Sequence, residues 1–127
     1  MYELTIHSNF LATHAVTIQG IDEEPHEHDW QLVVHVAARD LDQDGVVCDF
    51  HVLERGVKEA IAPLENAELN ELPLFKGISP TAENVVTLIS QRIAPVLPTR
   101  VFLRRVSLTE APGCIASVVF ENDFASG

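Results

Sequence analysis

Two stretches near the start of the chain alternate between apolar and polar residues. In residues 2–10 and again in residues 26–39, most of the side chains at every second position are apolar. A period of two is typical of a β-strand with one buried face. Residues 15–25 contain Gly20, Pro25 and three acidic residues, a composition that favours a loop. The first third of the chain therefore predicts two strands joined by a loop.

Two amphipathic segments follow with helical periodicity. Asp49 stands in an N-cap position, and apolar residues follow it at helical spacing as far as Leu64. A second helix begins after Ser79 or Thr81, either of which can cap it, and it ends before Pro95. An irregular connection separates the two helices.

The last part of the chain predicts two more strands. Residues 100–109 and 114–121 are rich in apolar residues, and the tight connection at 111–113 suggests a hairpin. We expect one domain over residues 1–123 and a loose tail at 124–127. The order strand, strand, helix, helix, strand, strand predicts an α+β fold: a four-stranded antiparallel sheet with two helices on one face. Such a sheet has open edges, which invite several copies of the chain to close into a barrel.

The charge of the chain limits its partners. Eight Lys and Arg residues against nineteen Asp and Glu give a net charge of −11. This balance argues against nucleic acid and against anionic membrane surfaces, both of which attract basic patches. No apolar run reaches the length of a membrane span, and the start of the chain lacks the pattern of a signal peptide. We therefore expect a cytoplasmic protein, with Cys48 and Cys114 reduced and buried as small apolar residues.

Three histidines form the main candidate for chemistry. His26 and His28 are two residues apart on a predicted strand, so their side chains lie on one face. His14 shares the buried face of the first strand if that strand continues, and it can lie beside them. Three imidazoles leave a fourth tetrahedral position open, as in a catalytic zinc site. The alternative is that they are ordinary surface histidines. His35 lies on the opposite face and is not a candidate ligand.

Six short motifs occur along the chain in a fixed order. They are Phe10-Leu11-Ala12-Thr13-His14, His26-Glu27-His28, Gly45-Val46-Val47-Cys48-Asp49-Phe50, Leu69-Asn70, Pro80-Thr81-Ala82-Glu83-Asn84 and Thr109-Glu110. With this order and spacing, residues 4–120 resemble the 6-pyruvoyl-tetrahydropterin synthase / 6-carboxy-tetrahydropterin synthase family. The resemblance implies the tunnelling fold, a pterin substrate, and a homo-oligomer in which trimers form a barrel and often pair into hexamers.

The resemblance also implies roles for individual residues. It implies Zn²⁺ on His14, His26 and His28. It implies substrate binding by Glu110, with Thr81 in a second substrate-binding motif. A carboxylate suits this role because it accepts two parallel hydrogen bonds from the amino-pyrimidine edge of a pterin. From the residues alone, Glu110 fits a surface acid at the end of a strand better, because exposed acids are the norm.

The chain departs from the family at its usual proton-transfer residues. The usual cysteine is replaced by Asp22, and the usual Asp-His pair is replaced by Glu65 and Asn66. An asparagine side chain neither takes nor gives a proton near neutral pH. The usual reaction of the family is therefore not carried over to this chain by its residues.

One branch of the family has a glutamate three residues before the first histidine of the pair, the position that Glu23 occupies relative to His26. In that branch the implied reaction removes the side chain of a dihydroneopterin compound and gives 6-hydroxymethyl-dihydropterin, a folate precursor. Glu23 is our candidate general base and Glu24 a weaker one. Both can instead be two of many acids in a solvated loop.

The leading hypothesis is a zinc-dependent, lyase-type enzyme acting on 7,8-dihydroneopterin or its triphosphate. A triphosphate needs cationic partners, for which Arg100, Arg104 and Arg105 are candidates; a non-phosphorylated pterin is an equal alternative given the acidic charge. The second hypothesis is a non-catalytic paralogue that keeps the metal and a pterin-like pocket. The third is different chemistry in the same pocket.

Overall fold

The computed structural model describes residues 1–121, so the expected tail at 124–127 lies outside the described residues. The two alternating stretches form strands of thirteen residues each, β1 (Tyr2–His14) and β4 (His26–Ala38). The connection between them is more ordered than the expected loop. It holds a short hairpin of β2 (Thr17–Ile18) and β3 (Ile21–Asp22).

The tip of this hairpin is a two-residue turn, Gln19-Gly20. Both residues have positive φ, 52° and 77° respectively. Positive φ at both central positions defines a type I′ turn, whose twist matches that of the flanking strands. Glycine adopts this conformation at no steric cost, which explains its place at the second position.

Both predicted helices are present, as α1 (Phe50–Ile61) and α2 (Ala82–Ile93). Asp49 caps α1 by accepting a hydrogen bond from the backbone N–H of His51 at 2.8 Å. Thr81, rather than Ser79, caps α2 through its hydroxyl oxygen. The caps satisfy backbone donors that have no partner within the helix.

The main sheet has five strands, and the prediction of four is wrong by one short strand. β5 (Ala67–Glu68) runs parallel to the end of β1. β6 (Phe102–Ala111) and β7 (Cys114–Val119) form the predicted C-terminal hairpin with slightly different bounds. The strand order is β5-β1-β4-β6-β7, and every other pairing in the sheet is antiparallel.

The helices cover one face of the sheet. α1 packs on β1, α2 packs on β6 and β7, and the two helices contact each other. The apolar positions of β1 and β4 fill this layer, with Phe10 and Trp30 as the largest fully buried side chains. Alternate positions lie on the uncovered face. None of the described helices is long and apolar enough to cross a membrane.

The two cysteines differ in their surroundings. Cys48 is buried as predicted, and burial raises the pKa of its thiol. The prediction for Cys114 is wrong, because it is exposed at the start of β7, a strand at the edge of the sheet. A strand at the edge of a sheet has no neighbour to bury its first residues.

Candidate metal centre

The three candidate histidines meet at one end of the sheet. His14 is the last residue of β1 and lies directly opposite His26, the first residue of β4. His28 follows on the same face of β4. The ring centroids of the three pairs are 4.4–5.3 Å apart, and the rings meet edge to face. The long β1–β4 ladder therefore brings together residues that are twelve or more positions apart in the chain.

Backbone carbonyls orient two of these rings. The Nδ1 atom of His14 lies 2.8 Å from the carbonyl oxygen of Pro80, and Nδ1 of His26 lies 3.0 Å from that of Glu24. A carbonyl only accepts hydrogen bonds, so each Nδ1 carries the proton. In the neutral ring, Nε2 is then left with its lone pair. Hydrogen bonding of this kind fixes the orientation and tautomer of metal-binding histidines.

The Nε2 atoms have the character of metal ligands. Those of His14 and His28 are buried, and no described residue gives them a well-aligned hydrogen bond. Burial, together with the neighbouring His26, lowers the pKa of His28 and so favours its neutral form. One ligand atom each from the three histidines and Glu110 lies within 4.8 Å of the others. This set could hold a metal, and three imidazoles with an oxygen donor suit zinc.

Glu110 lies among the histidines and is not a solvated acid at a strand end. Its Oε1 atom is 2.6 Å from Nε2 of His14 and 3.5 Å from Nε2 of His28. The side chain also borders two open cavities, of about 320 Å³ and 420 Å³. Glu110 can therefore contact both a metal held by the histidines and a ligand in either cavity.

The two candidate bases differ in position. Oε1 of Glu23 is 3.7 Å from Nε2 of His26 and accepts a hydrogen bond from the backbone N–H of Val16. Glu24 contributes its backbone carbonyl to His26, and no contact of its carboxylate is among those described. Asp22, at the usual cysteine position, accepts a hydrogen bond from the hydroxyl of Thr17. Of these three acids, Glu23 is the one whose carboxylate has a described contact with an imidazole.

Three further residues support the site. Trp30 is fully buried, packs against His14 and His28, and donates a hydrogen bond to the carbonyl of Ala12. Asn70 makes two hydrogen bonds to the backbone of Ala15, directly after His14. Pro80 contributes a main-chain atom, which leaves no signature in the sequence. Strand alternation puts Trp30 on the face of His26 and His28, while the motifs Leu69-Asn70 and Pro80-Thr81 are the sequence signal for the other two residues.

The remaining predicted residues take structural positions in the described chain. Thr81 caps α2 directly after the carbonyl that binds His14, so it lies beside the centre. Glu65 and Asn66, at the positions of the usual Asp-His pair, both bond to the backbone of Leu11. These contacts hold the connection after α1 against β1.

The basic residues considered for phosphate binding do not gather at the histidines. Arg100 donates to the backbone carbonyls of Asp40 and Val47. Arg104 and Arg105 lie on the uncovered face of β6, about five residues along the strand from Glu110. At about 3.3 Å per residue this is a distance of about 17 Å. Within one chain, these arginines do not reach a ligand bound at the histidine cluster.

Fold and site together define a class: α+β proteins of the tunnelling fold with a histidine cluster at one end of the sheet. The 6-pyruvoyl tetrahydropterin synthase family model matches residues 3–121. Dihydroneopterin monophosphate aldolase from Pyrococcus furiosus is 37% identical over 103 residues, which cover 81% of this chain and 84% of the relative. The chain belongs to the 6-pyruvoyl tetrahydropterin synthase family, whose members process pterins.

Solved structures agree with this fold. The 6-pyruvoyl tetrahydropterin synthase of Caenorhabditis elegans superposes with a TM-score of 0.83 at 17% identity, over 94% of this chain and 96% of that one. A Plasmodium vivax 6-pyruvoyltetrahydropterin synthase, with a catalytic glutamate replaced by alanine, superposes with a TM-score of 0.77 at 17% identity over 95% and 98%. Both likenesses support the shared fold.

Proposed function

We propose that the protein is a zinc-dependent aldolase that removes the side chain of 7,8-dihydroneopterin or one of its phosphates and forms 6-hydroxymethyl-dihydropterin. The observation that carries the proposal is the position of Glu23 at the rim of the histidine cluster. The name of the Pyrococcus furiosus relative supports the aldolase reaction and adds a monophosphate to the candidate substrates.

The metal would be held by the Nε2 atoms of His14, His26 and His28. Two of these rings are already oriented by backbone carbonyls, so little ordering is needed when the metal binds. When bound, zinc supplies Lewis-acid polarisation of the substrate's side-chain oxygens. We assign Glu110 to the substrate, because its carboxylate borders both cavities and can accept two hydrogen bonds from the amino-pyrimidine edge.

The reaction needs a base and no oxidant. Glu23 takes the proton from the hydroxyl on the second side-chain carbon, and the bond between the first and second carbons breaks. The second carbon leaves in a two-carbon aldehyde, while the electron pair moves into the adjoining C=N bond of the ring. The first carbon then gains a proton, which protonated Glu23 can return, and becomes the hydroxymethyl group. Thr81, beside the centre at the start of α2, is the proposed second contact to the pterin.

The test compares two neighbouring glutamates. We expect Glu23→Gln to lower kcat by about 10²–10⁴-fold, the usual contribution of a general base, with zinc content and pterin binding retained. Glu24→Gln is the matched control, because only the backbone of Glu24 contacts the cluster. Turnover would be measured on zinc-loaded protein with dihydroneopterin, its monophosphate and its triphosphate, and products identified by mass. Undiminished turnover in Glu23→Gln would reject this residue as the base.

Glu110 has a separate test. Glu110→Gln keeps the size of the side chain but cannot accept two hydrogen bonds from an amino-pyrimidine edge. We expect weaker pterin binding by about tenfold or more, with three-histidine zinc binding retained. A protein that lost its zinc in this variant would instead identify Glu110 as a metal ligand.

The second candidate function is a non-catalytic protein that binds a pterin-like ligand. The replacements at Asp22, Glu65 and Asn66 favour it, because an asparagine side chain cannot transfer a proton and the carboxylate of Glu65 accepts from the backbone of Leu11. Pterin binding without turnover of any of the three substrates would select this candidate. In either case we propose that the protein is cytoplasmic. We also propose that it is a homo-oligomer, either a trimer or a hexamer, because β7 leaves an open sheet edge that another copy can pair with. Sedimentation velocity would measure its size.

A further inference from the structure

The uncovered face of the sheet carries a second group of charged side chains, away from the histidine cluster. A cavity of about 300 Å³ opens there, lined by Glu3, His35, Arg104, Arg105, Val119 and Phe120. It includes two of the eight Lys and Arg residues of a chain whose net charge is −11. Such a local concentration of positive charge is unexpected in an acidic protein.

A β-bulge places the two arginines together. In the β4–β6 ladder, His35 pairs with Arg105 and the next residue of β4 pairs with Leu103, so Arg104 is an extra residue. On a regular strand, consecutive side chains point to opposite faces. At the bulge, both arginines line one cavity. The backbone N–H of Phe120 donates to the carbonyl of Arg104 at 3.0 Å and holds the bulge in place. Bulges often re-aim side chains at functional positions.

The charges around the cavity do not balance. Nε of Arg104 lies 3.4 Å from Oε1 of Glu3, the one carboxylate among the lining residues. Arg105 has no ion-pair partner among residues 1–121. His35, its cross-strand neighbour, shares a hydrogen bond with the hydroxyl of Thr5. Two guanidinium groups therefore face one carboxylate, and the cavity has room for a further anion.

Two other arginines differ from Arg105 in their contacts. Arg92 and Arg100 donate to backbone carbonyls, so their guanidinium groups hold the fold together. Arg105 makes no such contact in the described chain. A guanidinium group offers paired N–H donors that match the oxygens of a phosphate.

We propose that the cavity at the β6 bulge binds a phosphate-sized oxyanion, either free or as the phosphate of a small phosphomonoester. Arg105 supplies the paired donors and Arg104 a second cation, which Glu3 partly neutralises in the unliganded state. The site does not depend on the aldolase proposal, because it lies about 17 Å from Glu110 along β6.

Calorimetric titration of the full chain with inorganic phosphate tests the proposal. The protein would be treated with a chelator first, so that a metal in the histidine cluster cannot bind phosphate. We expect Arg105→Gln to weaken phosphate binding by about tenfold or more, since a hydrogen bond to a charged group contributes that much. Arg55→Gln, on the exposed face of α1, is the matched control and should bind as the parent does. Equal affinity in all three proteins, or an equal loss in both variants, would overturn the proposal.

For a second variant we expect a gain in phosphate affinity. Glu3→Gln removes the carboxylate that competes with phosphate for Arg104, so we expect severalfold tighter binding. This outcome cannot arise from damage to the fold, and the melting temperature of each variant would be measured beside it. Unchanged or weaker phosphate binding in Glu3→Gln would contradict the proposed arrangement.

Discussion

Two of the three histidines on strand β4, His28 and His35, have different surroundings. His28 faces the helix-covered side, packs against Trp30, and has a buried Nε2 without a well-aligned hydrogen-bond partner among the described residues. His35, seven residues later, lies on the uncovered face, and its Nδ1 atom is 3.2 Å from the hydroxyl of Thr5. An odd separation on a strand puts two side chains on opposite faces. Because both residues are histidines, the comparison teaches that the face of the strand decides what each side chain can bind.

The largest effect that we expect is on stability, and it comes from the packing of Trp30 beneath the histidines. Trp30→Ala removes a fully buried ring and should lower the free energy of unfolding by about 3–5 kcal/mol. Val33→Ala, on the uncovered face of the same strand, should cost about 1 kcal/mol or less. Urea unfolding monitored by circular dichroism measures both values. Similar losses in the two variants would mean that the two faces do not differ in packing as described.

The next effect concerns the metal. His14→Ala should weaken zinc binding by about a hundredfold or more, since losing even a hydrogen-bond partner of a ligand costs 10–100-fold. His35→Ala should leave zinc affinity unchanged, because His35 lies on the other face of the sheet. Competition with a chromophoric chelator measures both affinities. A loss of zinc binding in His35→Ala as well would contradict the assignment of His14 and His35 to opposite faces of the sheet.

A smaller effect on stability is expected from removing Asn70, whose side chain holds the backbone just after β1. Asn70→Ala removes two hydrogen bonds to the backbone of Ala15 and should cost about 1–2 kcal/mol of unfolding free energy. Asn9→Ala, which loses a single hydrogen bond to Asp29, is the control and should cost less. Thermal unfolding of the two variants gives the comparison. An equal cost would show that Asn70 does not hold the end of β1 in particular.

The smallest effect concerns the cap of α2. Thr81→Ala removes the hydroxyl that accepts from the N–H of Asn84 and should cost about 1 kcal/mol. Thr81→Ser keeps a capping oxygen and should recover most of that loss. Thermal unfolding of the two variants would measure it. A serine variant as unstable as the alanine variant would point to the threonine methyl group as the stabilising part.

The fold was predicted from the sequence wherever an element is long enough to show a period. The thirteen residues of β1 and of β4 give clear alternation, and this places all three histidines on one face. β5 has two residues and the strands of the β2–β3 hairpin two each, which is too short for any alternation. β5 forms by pairing with the distant end of β1, which the local sequence does not show. The β2–β3 hairpin pairs locally across the Gln19-Gly20 turn.

The candidate site was predicted less completely than the fold. Glu110 was expected near a pterin through family resemblance, since a lone acid at a strand end has no spacing signature. Its closeness to the histidines comes from the β4–β6 ladder. The carbonyls of Pro80 and Glu24 that orient two imidazoles are main-chain atoms, which every residue has. The two consecutive arginines were visible, but the register shift that places them in one cavity is a property of the sheet.

The β1–β4 ladder also has a consequence for how the chain folds. It pairs Tyr2 with Ala38 at one end and His14 with His26 at the other, without an interruption. A slip of one residue would turn His26 and His28 to the other face, and a slip of two would move His26 away from His14. Misaligned folding intermediates would thus lack the cluster. A metal ion bound there would select the correctly aligned hairpin, so metal affinity would measure the alignment of the whole ladder.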